Sequence, residues 1–123
     1  MNTGSRKILV VDDDDSIRDV VSKMLCRLGY AVLSADSGEN GLALFLKNKF
    51  ALVMTDFNMS GMDGIHLADY VKEKSPATQV VLMTGADKAV ILSKIKGTAV
   101  AKALFKPFTL VEMDKTVQRL WHP

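Results

Sequence analysis

The stretch 53-VMTDFNMSGMDG-64 decides how the chain is read. An apolar run ends on a bare carboxylate, Asp56, and the next residues hold a second Asp, two Gly and two Met. Short apolar runs of this kind read as strands buried on both faces, which is the habit of parallel sheets. The residues around this stretch alternate in the same way. Ile8–Val11 is an apolar run, Asp12–Ser16 is polar, and Ile17, Val20, Val21, Met24, Leu25 and Leu28 then recur at helical spacing until Gly29. Asp14 or Asp15 is placed to cap that helix.

Tyr30–Ala35 reads as a second strand and Glu39–Lys47 as a second helix with Leu42, Ala43 and Leu46 inward. Phe50–Thr55 is the third strand, and a loop to Asp63 precedes a helix through about Lys74, with Ile65, Leu67, Ala68 and Val71 apolar, before Ser75-Pro76 stops it. Val80–Met83, a helix over Lys88–Lys96, Ala101–Phe105 and a helix from Thr109 to about Leu120 complete the pattern. Five strands alternating with five helices call for an α/β fold. Right-handed crossovers then favour a doubly wound five-stranded parallel sheet of order 2-1-3-4-5.

In 123 residues there is room for one good core, and no linker or low-complexity tract interrupts it. Hydrophobic residues make up 48% and charged ones 24%, which excludes a disordered chain. A net charge of +2 is too small to argue for nucleic acid. No apolar run approaches the ~20 residues that span a bilayer. The polar start MNTGSRK lacks a signal peptide's apolar core, and the single Cys26 cannot form an internal disulfide. These features lead us to expect a cytoplasmic protein.

In a doubly wound sheet, ligands sit beyond the carboxyl ends of the strands. Here those ends carry Asp12 and Asp13, then Asp56, Thr84 and Lys106. Taken singly, each has a structural explanation, as a helix cap or a loop side chain. Jointly they place three carboxylates, a hydroxyl and an ammonium on one edge. Crowded carboxylates disfavour one another's ionisation, and a hard divalent cation such as Mg2+ relieves that cost. A carboxylate can serve as nucleophile in phosphoryl transfer, with Thr84 and Lys106 binding the phosphoryl oxygens. His66 and His122 suggest no metal site.

Four segments in order, KILVVDDDDSIR, VMTDFNMSGMDG, VVLMTG and FKPF, make the chain resemble the receiver domain of the two-component response regulators (CheY-like) across nearly its whole length. The resemblance implies a single receiver domain over 1–123. It implies that Asp56 accepts a phosphoryl group from the phosphohistidine of a sensor histidine kinase or a phosphotransfer protein. Mg2+ would be held by Asp12, Asp13, Asp56 and the backbone carbonyl of Asn58, with Asp13 the more direct ligand of the pair. Thr84 and Lys106 match the hydroxyl and the lysine that meet the phosphoryl group, and the Lys106–Pro107 bond is a candidate for cis. Such a protein speeds its own phosphorylation and hydrolysis but turns over no substrate, and it switches an output protein.

Three positions depart from the family pattern. Ser60 follows Met59 where Pro is usual, Ala103 stands where an aromatic residue usually lies three before the lysine, and GTAVAKA lacks the usual Gly-Ala-Asp. Rotation of an aromatic ring in response to the threonine cannot occur in that form here. In the helix KAVILSKIKG, Ala89, Val90, Ile91 and Leu92 are consecutive, so one face cannot bury all four. With Lys88, Lys94, Lys96, Lys102 and Lys106 nearby, we expect this helix and strand 5 to form an apolar surface with a basic rim, for a partner or for self-association.

Two other classes fit less well. A Mg2+-dependent phosphatase or phosphotransferase with an aspartyl nucleophile needs a substrate-binding cap for which the chain has no residues. A flavodoxin-like cofactor binder needs a Gly/Ser/Thr-rich phosphate loop where this chain has DDDD. Direct DNA binding is not expected, because no helix-turn-helix follows Trp121.

Overall fold

The computed structural model describes residues 6–59 and 61–121. Ser60, His122 and most of the polar N-terminal stretch lie outside the described residues. The elements are β1 (Lys7–Val11), α1 (Asp15–Arg27), β2 (Ala31–Ala35), α2 (Gly38–Lys47), β3 (Leu52–Asp56), α3 (Gly64–Lys74), β4 (Gln79–Thr84), α4 (Lys88–Ile95), β5 (Lys102–Phe105) and α5 (Leu110–Trp121). The strands are all parallel and ordered β2-β1-β3-β4-β5, as the strand pattern predicts.

Strand side chains alternate between two apolar layers because successive residues point to opposite faces. Ile8, Val10, Leu52, Met54, Val81 and Met83 meet α1 and α5 through Val21, Leu25, Met113 and Val117. Leu9, Val11, Val53, Val80 and Leu82 meet α2, α3 and α4 through Phe45, Leu67, Val71 and Ile91. Every strand but the two at the edges is therefore apolar on both faces. Truncating Leu25 or Leu67, both fully buried, would cost about 2–5 kcal/mol.

Short polar side chains start the helices. Asp14 accepts from the Ile17 N–H, Ser37 from Asn40, Asp63 from His66 and Asp87 from Val90. Thr109 caps α5 by a reciprocal pair: the Glu112 N–H donates to its hydroxyl at 3.1 Å, and its own N–H donates to the Glu112 carboxylate at 3.1 Å. Among the described residues no helix is long and apolar enough to cross a membrane.

Two helices face differently from expectation. Leu42 packs against the core as expected, but Leu46 is 60% exposed and Ala43 is exposed, while Gly38, Gly41 and Phe45 form the buried stripe of α2. The cause is close approach: a Cβ on Gly41 would lie 2.7 Å from Val11 Cγ2, so the helix backbone itself rests on the sheet. In α1, Val20 is 49% exposed although it falls in the apolar repeat. The expectation for α4 holds, with Ile91 fully buried and Val90 and Leu92 left 49% and 46% exposed.

Candidate functional site

The carboxyl ends of β1, β3, β4 and β5 bring the predicted side chains together. Asp12 follows β1 and is fully buried. It is pinned from three sides: the Asp14 N–H donates to its Oδ1 at 2.9 Å, Lys106 Nζ to its Oδ2 at 3.2 Å, and Arg18 Nη1 to its backbone oxygen at 2.9 Å. Asp13 beside it is exposed. Asp56 closes β3 with its side chain 15% exposed, and Lys106 Nζ donates to its Oδ1 at 3.1 Å. One ammonium therefore bridges two carboxylates from different strands.

Burial pushes the Asp56 carboxyl above its ordinary range. The Lys106 ammonium opposes that rise without cancelling it, and the Asp12 carboxylate adds to it. For Lys106, burial would lower the ammonium, but Asp56 and Asp12 together outweigh burial and hold it above its ordinary value. The site thus carries more negative charge than its lysine neutralises.

Thr84, at the end of β4, is buried, and its hydroxyl accepts from the Ala86 N–H at 3.0 Å. The Lys106 N–H donates to the Thr84 carbonyl at 2.7 Å, tying the lysine to the neighbouring strand. The Lys106–Pro107 peptide is cis. Asn58 is exposed on the β3–α3 loop, two residues past Asp56.

That loop is shaped by its glycines in two ways. Gly61 has φ +83°, a conformation that side chains disfavour. Gly64 serves packing rather than turning: a Cβ there would lie 2.5 Å from the Asp56 carbonyl oxygen and 2.6 Å from Leu82 Cδ1. Met59 and Met62 pack against the α2–α4 layer, as expected of gap-filling methionines.

Carboxylate oxygens of Asp12, Asp13 and Asp56 lie within 4.8 Å of one another, and these three form the group that could hold a metal ion among the described residues. The donors fit a hard divalent cation. All are oxygens, excess negative charge is present, and Asp13 opens the cluster to water. His66 takes no part, and its Nδ1 faces Asp63 Oδ2 at 3.2 Å within the α3 cap.

Two contributors were not singled out from sequence. Arg18 holds the Asp12 carbonyl and pairs with Asp15. The i,i+3 spacing of Asp15 and Arg18 is a visible hint of that pair. Glu39 at the start of α2 accepts from the Met62 N–H at 3.3 Å, tethering the loop after Asp56. No local spacing signals a contact 23 residues apart.

The family model described as the response regulator receiver domain matches residues 8–118, and the chain belongs to that family. It is 30% identical to the response regulator receiver protein CpdR of Brucella abortus, over 94% of this chain and 96% of that one. It is 30% identical to the probable chemotaxis protein CheY of Rhizobium etli, over 94% and 92%. The response regulator FleR of Pseudomonas aeruginosa is 36% identical over 83% of this chain, which spans 22% of FleR. Among solved structures, the chemotaxis protein CheY4 of Vibrio cholerae superposes with a TM-score of 0.86 at 32% identity, covering 94% of this chain and 98% of that one. TrrA of Thermotoga maritima, solved as a complex with Mg2+ and BeF, gives 0.82 at 28%, covering 94% and 98%. The protein is therefore a receiver domain of two-component signalling, a class that works between sensor kinases and output domains.

Proposed function

We propose that Asp56 accepts a phosphoryl group from the phosphohistidine of a sensor histidine kinase or phosphotransfer protein in the cytoplasm. In this reading the chain, residues 1–123, acts as a single receiver domain. An Asp56 carboxylate oxygen attacks phosphorus, the bond from phosphorus to the donor's imidazole nitrogen breaks, and the nitrogen keeps the electron pair. Mg2+ held by Asp12, Asp13, Asp56 and the Asn58 carbonyl would supply positive charge against the phosphoryl oxygens. Lys106 stays beside the acceptor and pairs with the added charge, and the Thr84 hydroxyl donates to a phosphoryl oxygen. The chain promotes its own phosphorylation and dephosphorylation and turns over no other substrate.

The observation that carries this reading is the Lys106 ammonium at 3.1 Å from Asp56 and 3.2 Å from Asp12, with Asp13 opening the same cluster to solvent. An apolar hollow supports the donor's approach. Ile17, Val20, Met24, Pro107 and Phe108 line it beside Lys106, and exposed Val20 gives it an outer edge. The added charge acts on the surface of α4, β5 and α5, which meets an output protein.

Intact mass spectrometry after treatment with acetyl phosphate and Mg2+ tests the proposal. One phosphoryl group should be gained, and none by Asp56→Asn or without Mg2+. Equal uptake by Asp56→Asn would reassign the acceptor.

A further inference from the structure

The two edges of the sheet are built differently. β5 has four residues and carries exposed Lys102. Short, charged edge strands discourage further pairing. β2, at the other edge, reads 31-AVLSA-35, with no charge and no proline. None of the usual devices that blunt an edge is present in it.

The backbone bonds show which groups of β2 are free. In a parallel ladder one residue turns its N–H and C=O to one side, and the next residue turns them to the other. The Ala31 N–H donates to the Arg6 carbonyl at 3.2 Å, and the Ala35 carbonyl accepts from the Asp12 N–H at 3.2 Å. Residues 31, 33 and 35 therefore face β1, and Val32 and Ser34 turn their N–H and C=O out of the sheet. Clefts of about 480 and 370 Å³ flank this edge, the first against α2 and the second against α1. Ser34 lines both, so neither helix closes over the strand there.

We propose that the β2 edge pairs antiparallel with the β2 edge of a second copy, joining two sheets into one about a two-fold axis at Leu33. Val32 then lies opposite Ser34 of the other copy, and each such pair exchanges both of its N–H···O bonds. The outward groups of one β2 are thus the full complement of another. The flanking charges match in the same way. An antiparallel two-fold sets the first half of each flanking helix beside the second half of its equivalent. α1 holds Asp15 and Asp19 in its first half and Lys23 and Arg27 in its second, and α2 runs from Glu39 to Lys47. Acid meets base on both faces of the joined sheet. A peptide of one charge sign would match half of this edge and meet like charge on the other half. The acid site stays open, because strand reversal puts the two copies of Asp56 at opposite ends of the joined sheet.

The test combines analytical ultracentrifugation with amide hydrogen exchange on 15N-labelled protein, in reductant so that the exposed Cys26 forms no cross-link. The weight-average mass should rise toward twice that of the chain as protein is raised to about 1 mM. Over the same range exchange at the Val32 and Ser34 amides should slow by about threefold or more, while Ala31, Leu33 and Ala35, already turned to β1, stay unchanged. Ser34→Pro removes an outward N–H at a place where an edge strand tolerates proline, so it should fold and remain a single chain. Arg27→Glu with Lys47→Glu leaves the strand untouched and serves if the proline variant does not fold. It should weaken association by about threefold or more, the scale of screened surface charges. The proposal is overturned by a single-chain mass at about 1 mM, or by a dimer in which Val32 and Ser34 exchange as fast as in dilute protein. Association undiminished in the folded proline variant or in the charge variant would also overturn it. Phosphoryl uptake at Asp56 is a separate readout, and its presence or absence leaves this pairing untouched.

Discussion

Replacing Lys106 by Met removes one ammonium and leaves two carboxylates facing each other. Its Nζ donates to Asp56 at 3.1 Å and to Asp12 at 3.2 Å. Stripping one partner from a buried ion pair costs about 3–5 kcal/mol, because the remaining charge is left unpaired. Here Asp12 is fully buried, but Asp56 and Lys106 side chains are 15% and 21% exposed, so water recovers part of that cost. Charge-assisted hydrogen bonds are worth about 1.5–3 kcal/mol each, and partial rehydration brings the expected total for the pair to about 2–3 kcal/mol. At about 4 °C per kcal/mol for a domain of this size, the melting temperature should fall by about 8–12 °C. The measurement is thermal unfolding by far-ultraviolet circular dichroism at pH 7 in EDTA, for wild type, Lys106→Met, Asp56→Asn and the double variant. In the Asp56→Asn background only Asp12 loses its partner, so the loss should shrink by about half, a coupling of about 1 kcal/mol or more. A fall below about 2 °C for Lys106→Met, or an equal fall in both backgrounds, would refute the reasoning.

Further outcomes follow from the same site. The Asp56 carboxyl is raised above 3.8, so folding favours its protonated form. That stability is fully present below the unfolded value and is lost as pH rises through the folded one. Asp56→Asn in EDTA should therefore gain on wild type from acid to neutral pH, and a difference that does not vary with pH would contradict the raised value. Mg2+ should raise the wild-type melting temperature, by about 1.4 kcal/mol of stability at ten times its dissociation constant, and much less in Asp13→Asn. A metal response of the same size in both proteins would remove Asp13 from the ligand set. Gly64→Ala should cost about 1–3 kcal/mol by urea unfolding, since its Cβ meets backbone at 2.5 Å, whereas Gly85→Ala, with nothing within 4 Å, should be close to neutral. Equal effects at the two glycines would show that the loop relaxes around the added methyl.

The acid site was legible because strand ends are legible. Asp12, Asp56, Thr84 and Lys106 each close an apolar run, and a doubly wound sheet carries such ends to one edge. The depth of Asp12 was not, because nothing in a run of four Asp marks which one is drawn inward. Its burial comes from Lys106, 94 residues away, and from Arg18. The buried stripe of α2 was hidden for another reason. Counting apolar side chains finds Leu42, which does pack inward, but also Ala43 and Leu46, which do not, whereas Gly38 and Gly41 pack by having no side chain at all. The exposed apolar residues of α4 were readable from their run of neighbours, since a helix cannot turn three large consecutive residues to one side.

The single tryptophan is anchored at the opposite end of the sheet from the acids. Trp121 donates to the Tyr30 hydroxyl at 3.0 Å, and Arg6 lies 4.3 Å over its ring. A five-residue strand puts about 16 Å between those two ends. Its emission should thus record whether the chain is folded while staying nearly silent to ions or phosphoryl groups at Asp56. A fluorescent reporter of occupancy has to be installed, and Phe57→Trp, next to the acceptor, is the natural place for it.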